Sequence, residues 1–189
     1  MEPSERTDEW WEWLSSLSFF PYLLVIDDDY LKDNFNLYEC KKKYKNCSVL
    51  ISIIRGRYEG EMTEDLYYKA LEMYGLLHKS FIISGAGLDQ MYKKYRNNEF
   101  QNCPRVNCNG TCCIPYGVSE VDRTPVMMFC PNCGDVYNPV DPDVFEGIDG
   151  TFYGPSWVHM FIKNFDDIVP AEPPTPFVPR IFGFKVSKD

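Results

Sequence analysis

Histidine is almost missing from this chain. Only His78 and His159 occur in 189 residues. Neither has a serine or cysteine at the spacing of a nucleophilic motif. His78 falls on a helix face among apolar residues, and His159 sits beside Val158, Met160 and Phe161. Both are therefore expected as core or boundary residues. The chain also lacks a Gly-x-Ser-x-Gly turn, a nucleotide-binding glycine loop and a His-Glu-x-x-His pair. Ser84-Gly85-Ala86-Gly87 is not a phosphate loop, because no strand precedes it and no Gly-Lys-Ser/Thr follows. Paired carboxylates are present, as in any acidic protein. No catalytic residues are assigned, and the chain is not expected to be an enzyme.

Long apolar runs are missing too. The longest, Phe19 to Ile26, is broken by Pro21 and is far shorter than a membrane-spanning helix. The first residues (Met1-Glu2-Pro3-Ser4-Glu5) are polar and acidic, unlike a secretory signal, so a soluble intracellular protein is expected. Basic excess is missing as well: the formal net charge is -9. A nucleic-acid reader carries a basic stripe. Over 99–140 the charged residues Glu99, Arg105, Glu120, Asp122, Arg123 and Asp135 leave a net -2. A divalent ion held by four thiolates adds two further negative charges, a surface that repels phosphates. The one dense basic run, Lys41-Lys42-Lys43-Tyr44-Lys45, reads as a solvated loop or helix face.

Cysteine, by contrast, is plentiful at eight residues. Four of them form two pairs, Cys103-Pro-Arg-Val-Asn-Cys108 and Cys130-Pro-Asn-Cys133-Gly134. In Cys-Pro-x-Cys-Gly the proline presets a tight turn and the glycine lets backbone wrap an ion. Two such pairs around a short strand-like insert read as a tetrahedral four-cysteine zinc site. Four protein ligands leave no open position, so the zinc is expected to be structural, one per chain. Knuckle spacing without a signal peptide favours metal over a disulfide framework. Cys112 stands between the pairs and is an alternative to Cys108 as a ligand. With Cys108 preferred, Cys112 and Cys113 are free thiols open to a redox role. Cys40 and Cys47 read as helix-packing residues.

The first half reads as helical. Trp10, Trp13, Leu14 and Leu17 give a helix over 5–20, ended by Pro21. Asp27-Asp28-Asp29 caps a short helix carrying Tyr30, Leu31, Asn34 and Phe35. Val49, Leu50, Ile53 and Ile54 mark a helical run from Tyr44 to Arg55. Thr63 caps the next helix, with Leu66, Tyr67, Ala70, Leu71, Tyr74, Leu77 and His78 on its inner face. Ser84 to Gly87 breaks it, and a last helix carries Leu88, Met91, Tyr92 and Tyr95. After Phe100 the texture turns to Cys, Pro, Gly and Asn, with short strand-like runs at Val126 to Phe129 and Val136 to Tyr137. The predicted class is α+β: an all-helical domain (1–100), a small zinc ribbon (101–146), and a return segment with a proline-rich arm (147–189). Within the return segment, Val158 to Phe165 is expected as a short helix or strand. Pro170, Pro173, Pro174, Pro176 and Pro179 predict a stiff extended arm. Phe182 and Phe184 stand two apart, on one side of an extended strand. They either insert into a partner or fold back into the chain's own core, and the pattern does not separate these readings.

Several blocks carry a family resemblance. They are Trp10 to Trp13, Asp28 to Leu37, Met73-Tyr-Gly-Leu-Leu-His78, both cysteine pairs, Asp149-Gly150, His159-Met160 and Phe177-Val-Pro-Arg-Ile-Phe-Gly-Phe-Lys185. In these the chain resembles the regulatory beta subunits of casein kinase II. The resemblance implies a non-catalytic subunit that dimerises through its zinc ribbon and bridges two catalytic (alpha) subunits of a Ser/Thr kinase. It would stabilise the active kinase and modulate its choice of protein substrates, in cytoplasm and nucleus. It implies dimer contacts at Pro104, Val106, Val118 and Val136, and kinase binding at Phe182 and Phe184 with Met160 in support. The competing readings are a zinc-ribbon transcription factor, disfavoured by charge, and a redox protein using Cys112-Cys113.

The chain departs from the family's pattern in three places. The stretch Arg55-Gly-Arg-Tyr-Glu-Gly-Glu-Met62 is short and mixed in charge where the family has an acidic, polyamine-binding loop. The N-terminal serine cluster is reduced to Ser4-Glu5. The sequence stops at Asp189, shortly after the Phe182–Phe184 block, which leads to the expectation of a weaker dimer.

Overall fold

The eighteen-residue helix α5 (Glu64–Phe81) is the spine of the computed structural model, which describes residues 9–119, 122–170, 174 and 176–186. Thr63 caps it by accepting the Leu66 N–H, and Glu64 and Asp65 face the positive end of its dipole. Ala70, Leu71, Tyr74, Leu77, His78 and Phe81 recur at three- and four-residue steps and are buried. Gly75 lies in the middle because a ring occupies the place of its side chain. A Cβ there would lie 2.2 Å from Phe152, in the turn Gly150–Phe152.

The other helices wrap this spine. They are α1 (Glu9–Ser16), α2 (Asp28–Lys32), α3 (Tyr38–Lys43), α4 (Cys47–Ile54) and α6 (Gly85–Arg96). Trp10 and Trp11 meet edge to face at 5.2 Å, and each meets Tyr74 at 5.8 Å. Their indole N–H groups donate to the Tyr67 and Ile54 carbonyls, so neither indole donor is buried unpaired. Helix α1 ends at Ser16, before Pro21, and residues 5–8 of the expected helix lie outside the described residues. Cys40 and Cys47 are buried as packing residues. The lysines at 41–43 form the exposed last turn of α3.

Three expectations change here. Asp27 makes no side-chain capping bond, and α2 stops at Lys32, leaving Phe35 exposed in a turn. Asp28 serves instead as an ion-pair anchor. Asp28 accepts from Arg55 Nε at 2.8 Å, from Arg57 Nη2 at 3.2 Å, and pairs with Lys32 Nζ at 3.0 Å. The Arg55 hydrogen bond holds its carboxyl well below the usual carboxylate range. The run Ser84 to Gly87 does not lie between helices but starts one, since Ser84 caps α6 by accepting the Gly87 N–H at 3.2 Å. Finally, the run from Tyr44 to Arg55 is helical only from Cys47, because α3 and α4 are separate helices.

After Phe100 the chain forms a three-stranded antiparallel sheet in the order β1 (Ile114–Tyr116), β2 (Met127–Phe129), β3 (Val136–Tyr137). Ile114 opposes Phe129 and Tyr116 opposes Met127, and β2 pairs on through Phe129 against Val136. Helix α7 (Ser156–Asn164) then returns toward the first helices, so the ambiguous segment at 158–165 is helical up to Asn164. Trp157 Nε1 donates to the Pro115 carbonyl at 3.0 Å, and Tyr92 stacks on Phe165 at 4.2 Å. The mixture of helices with small antiparallel sheets is the α+β class expected. Only one face of α7 is buried, through Trp157, Val158 and Phe161, so His159 is exposed rather than part of the core. No helix among the described residues is long and apolar enough to cross a membrane.

Candidate metal centre and partner surfaces

Strand β2 delivers Cys130 directly into a knuckle. The Gly134 N–H donates to the Cys130 carbonyl and the Cys130 N–H to the Asp135 carbonyl, both at 2.9 Å. Gly134 takes φ +72°, a left-handed conformation that reverses the chain into β3 without a Cβ clash. The other knuckle is closed by Cys103 N–H to Thr111 O at 2.8 Å and Cys108 N–H to Arg105 O at 2.9 Å. Together these turns bring Cys103, Cys108, Cys130 and Cys133 into one cluster whose sulfur atoms all lie within 4.8 Å of one another. Cys103 Sγ and Cys133 Sγ are 4.0 Å apart. Metal–sulfur bonds of about 2.3 Å in a tetrahedron require sulfur separations of roughly 3.8 Å. The four cysteines can therefore hold a metal ion with little movement.

The electrostatics fit the same purpose. Burial pushes the Cys103 and Cys108 thiols up. Cys130 is drawn well below the ordinary thiol range, first by a hydrogen bond with the Cys113 thiol and also by the N–H groups of Cys133 and Asn132. Tyr137 Oη lies 3.2 Å from Cys133 Sγ. Arg105 ties the two knuckles together by pairing with Asp135 at 3.3 Å. Buried thiols of this kind become thiolates together only around a cation, and four soft sulfur donors suit zinc or an iron–sulfur centre.

Cys112 stands outside the cluster. Its thiol faces the Phe100 carbonyl at 3.9 Å and the Cys113 carbonyl at 3.6 Å. Burial raises it to about 11. Cys113 is different, because it is fully buried against Cys130. In the sequence the two look alike as adjacent free thiols, and only the register of β1 on β2 separates them.

The residues expected at partner surfaces are exposed. Val106 is 88% exposed, and Pro104, Val118 and Val136 are also open to solvent. Phe182 is 96% and Phe184 79% exposed, and Met160 lies on the outer side of α7. Neither phenylalanine is folded back into the core. The extended strand expected there is instead a hairpin, β4 (Arg180–Ile181) against β5 (Phe184–Lys185). Phe182 and Gly183 form its two-residue turn with φ of +50° and +87°, the type I′ geometry that matches strand twist. Arg180 Nη1 donates to the Gly183 carbonyl at 2.9 Å, and Val186 N–H to the Pro179 carbonyl at 3.0 Å. Pro173 and Ser4-Glu5 lie outside the described residues. In the mixed-charge stretch 55–62, Arg55 and Arg57 are turned onto Asp28.

A family model described as "Casein kinase II regulatory subunit" matches residues 9–185. The chain is similar to casein kinase II subunit beta of Schizosaccharomyces pombe, 31% identical over 188 residues that cover 97% of this chain and 81% of that one. It is 33% identical over 196 residues to subunit beta' of Saccharomyces cerevisiae, covering 99% of this chain and 76% of the relative. Subunit beta' of Drosophila melanogaster is 32% identical over 183 residues, covering 94% and 83%.

Proposed function

The chain belongs to the family of casein kinase II regulatory subunits, and on that footing we propose that it is a non-catalytic scaffold for a Ser/Thr kinase. In this reading residues 1–100 form a helical unit, 101–146 a zinc ribbon, and 147–189 a return segment with a binding arm. One structural zinc per chain is held by Cys103, Cys108, Cys130 and Cys133. Two ribbons pack through Pro104, Val106, Val118 and Val136. Each arm docks a catalytic subunit through Phe182 and Phe184, with Met160 in support, so that the dimer bridges two kinases. Docking favours the active kinase by binding it better than inactive conformations, which is a shift of population. The scaffold also adds a surface for choosing protein substrates, in cytoplasm and nucleus.

The observation that carries this reading is the hairpin at 180–185. A hairpin whose turn residue Phe182 is 96% exposed leaves a large aromatic surface in water. It also holds a non-glycine residue at positive φ, at a cost of roughly 1 kcal/mol. Both costs are offset when the ring enters an apolar pocket on a partner. Aromatic anchors of this kind contribute about 2 kcal/mol or more each. Phe182→Ala with Phe184→Ala is therefore expected to weaken binding to a casein kinase II catalytic subunit by roughly a thousandfold. The dimer and its metal should be unchanged in sedimentation and mass measurements. Unchanged kinase binding would refute the docking assignment.

A further inference from the structure

The β1–β2 pairing ends at Ile114 and Phe129, and the next residue on each side is a cysteine, Cys113 and Cys130. Ile114 opposes Phe129 and Tyr116 opposes Met127, so the same register, continued by one residue, sets Cys113 opposite Cys130. Residues directly opposed on an antiparallel pair share a face and bring their Cβ atoms to about 4.5–5.5 Å. The other neighbour of this segment confirms the face. Cys113 N–H donates to the Gln101 carbonyl and Cys103 N–H to the Thr111 carbonyl, both at 2.8 Å, with Asn102 bridged to Cys112. Alternation along these strands puts Cys103 and Cys113 on one face and Cys112 on the other. Cys113 and Cys130 are both 0% exposed, so water cannot serve either sulfur.

We propose that Cys113 is a positioning residue of the metal centre, a fifth sulfur outside the coordination sphere whose S–H donates to the Cys130 thiolate. This rests on the zinc reading above. Four thiolates around a divalent cation leave a net charge of about -2 in a buried place. A donor aimed at one sulfur withdraws part of that charge. It holds the Cys130 sulfur in place on the ion and makes it a poorer nucleophile toward electrophiles. Cys113 does not itself ligate, because the sulfur atoms that lie within 4.8 Å of one another are those of Cys103, Cys108, Cys130 and Cys133.

The test uses the full-length zinc-loaded chain. Cys113→Val keeps the size and strand propensity but removes the donor, whereas Cys113→Ser restores an O–H donor. Zinc content is read by native mass spectrometry, and zinc release by transfer to a chromophoric chelator. Loss of an outer-shell partner weakens metal binding by about 10- to 100-fold. As S–H is a weak donor, the valine variant should keep its zinc but release it roughly tenfold faster. The serine variant should return toward the wild-type rate. Packing alone predicts the opposite order, with valine close to wild type and serine worst, and that order would overturn the proposal. If valine does not fit the site, judged by circular dichroism, Cys113→Ala against Cys113→Ser gives the same comparison. Cys108→Ser separates the two layers of inference. If it holds as much zinc as wild type, the four-cysteine reading fails and the role of Cys113 falls with it. If it loses zinc while the Cys113 variants all match wild type, only the role of Cys113 falls.

Discussion

Acidification should weaken this fold through His78. The ring is completely buried between the segment after α1 and the turn before α7. Its Nε2 accepts the Leu24 N–H at 3.0 Å, so the single proton of the neutral ring sits on Nδ1 and donates to the Phe152 carbonyl at 2.8 Å. A second proton on Nε2 would face the Leu24 N–H, donor against donor. Burial is the main cause that lowers His78 to about 4, and Lys94 contributes in the same direction. The folded-state value is thus below the unfolded value of about 6.5. Stability is complete above that unfolded value and is lost as pH falls toward the folded one, because the unfolded chain takes the proton first. The interval is about 2.5 units at roughly 1.4 kcal/mol each, so the full loss is about 3 kcal/mol, of which about 2 has occurred by pH 5. For a chain of this size, 2 kcal/mol lowers the melting temperature by about 4–8 °C. His78→Gln does not titrate, so its stability should fall less between pH 7 and pH 5, although it starts lower. The cysteine centre is common to both proteins and subtracts out. Parallel pH profiles in urea unfolding of wild type and variant would refute the reasoning.

Two further results follow from single positions. Gly75→Ala places a methyl group against the Phe152 ring. Overpacking costs about 1–3 kcal/mol and the gain in helix propensity returns at most about 1, so the urea midpoint should drop. A stabilised variant would mean that the ring can move aside. Cys108→Ser, or removal of metal with a strong chelator, should release the bound ion and unfold the region 101–146, while most of the helical signal in circular dichroism persists. An unchanged metal content would contradict the ligand assignment.

The sequence was most legible where the signal is local. Helix α5 carries its own period and its own cap at Thr63. The knuckles declare themselves by spacing and by the Pro and Gly inside them. The illegible parts depend on distant partners. Three adjacent aspartates look like a helix cap until Arg55, 27 residues away, claims Asp28. The role of Cys113 is invisible without the β1–β2 register. The hairpin turn is hidden because Phe-Gly is not a turn pair of the Asn-Gly kind, and Phe182 takes the positive φ that usually marks Asn or Gly. His159 looks like a core residue by its neighbours, yet α7 buries one side only.

As proposed, this chain is a zinc-stabilised dimer that carries two kinase subunits. Native mass spectrometry of the purified chain mixed with a casein kinase II catalytic subunit tests it in one spectrum. Two copies of each subunit, with one zinc per copy of this chain, are expected. A zinc-loaded monomer or dimer that leaves the kinase free would contradict it.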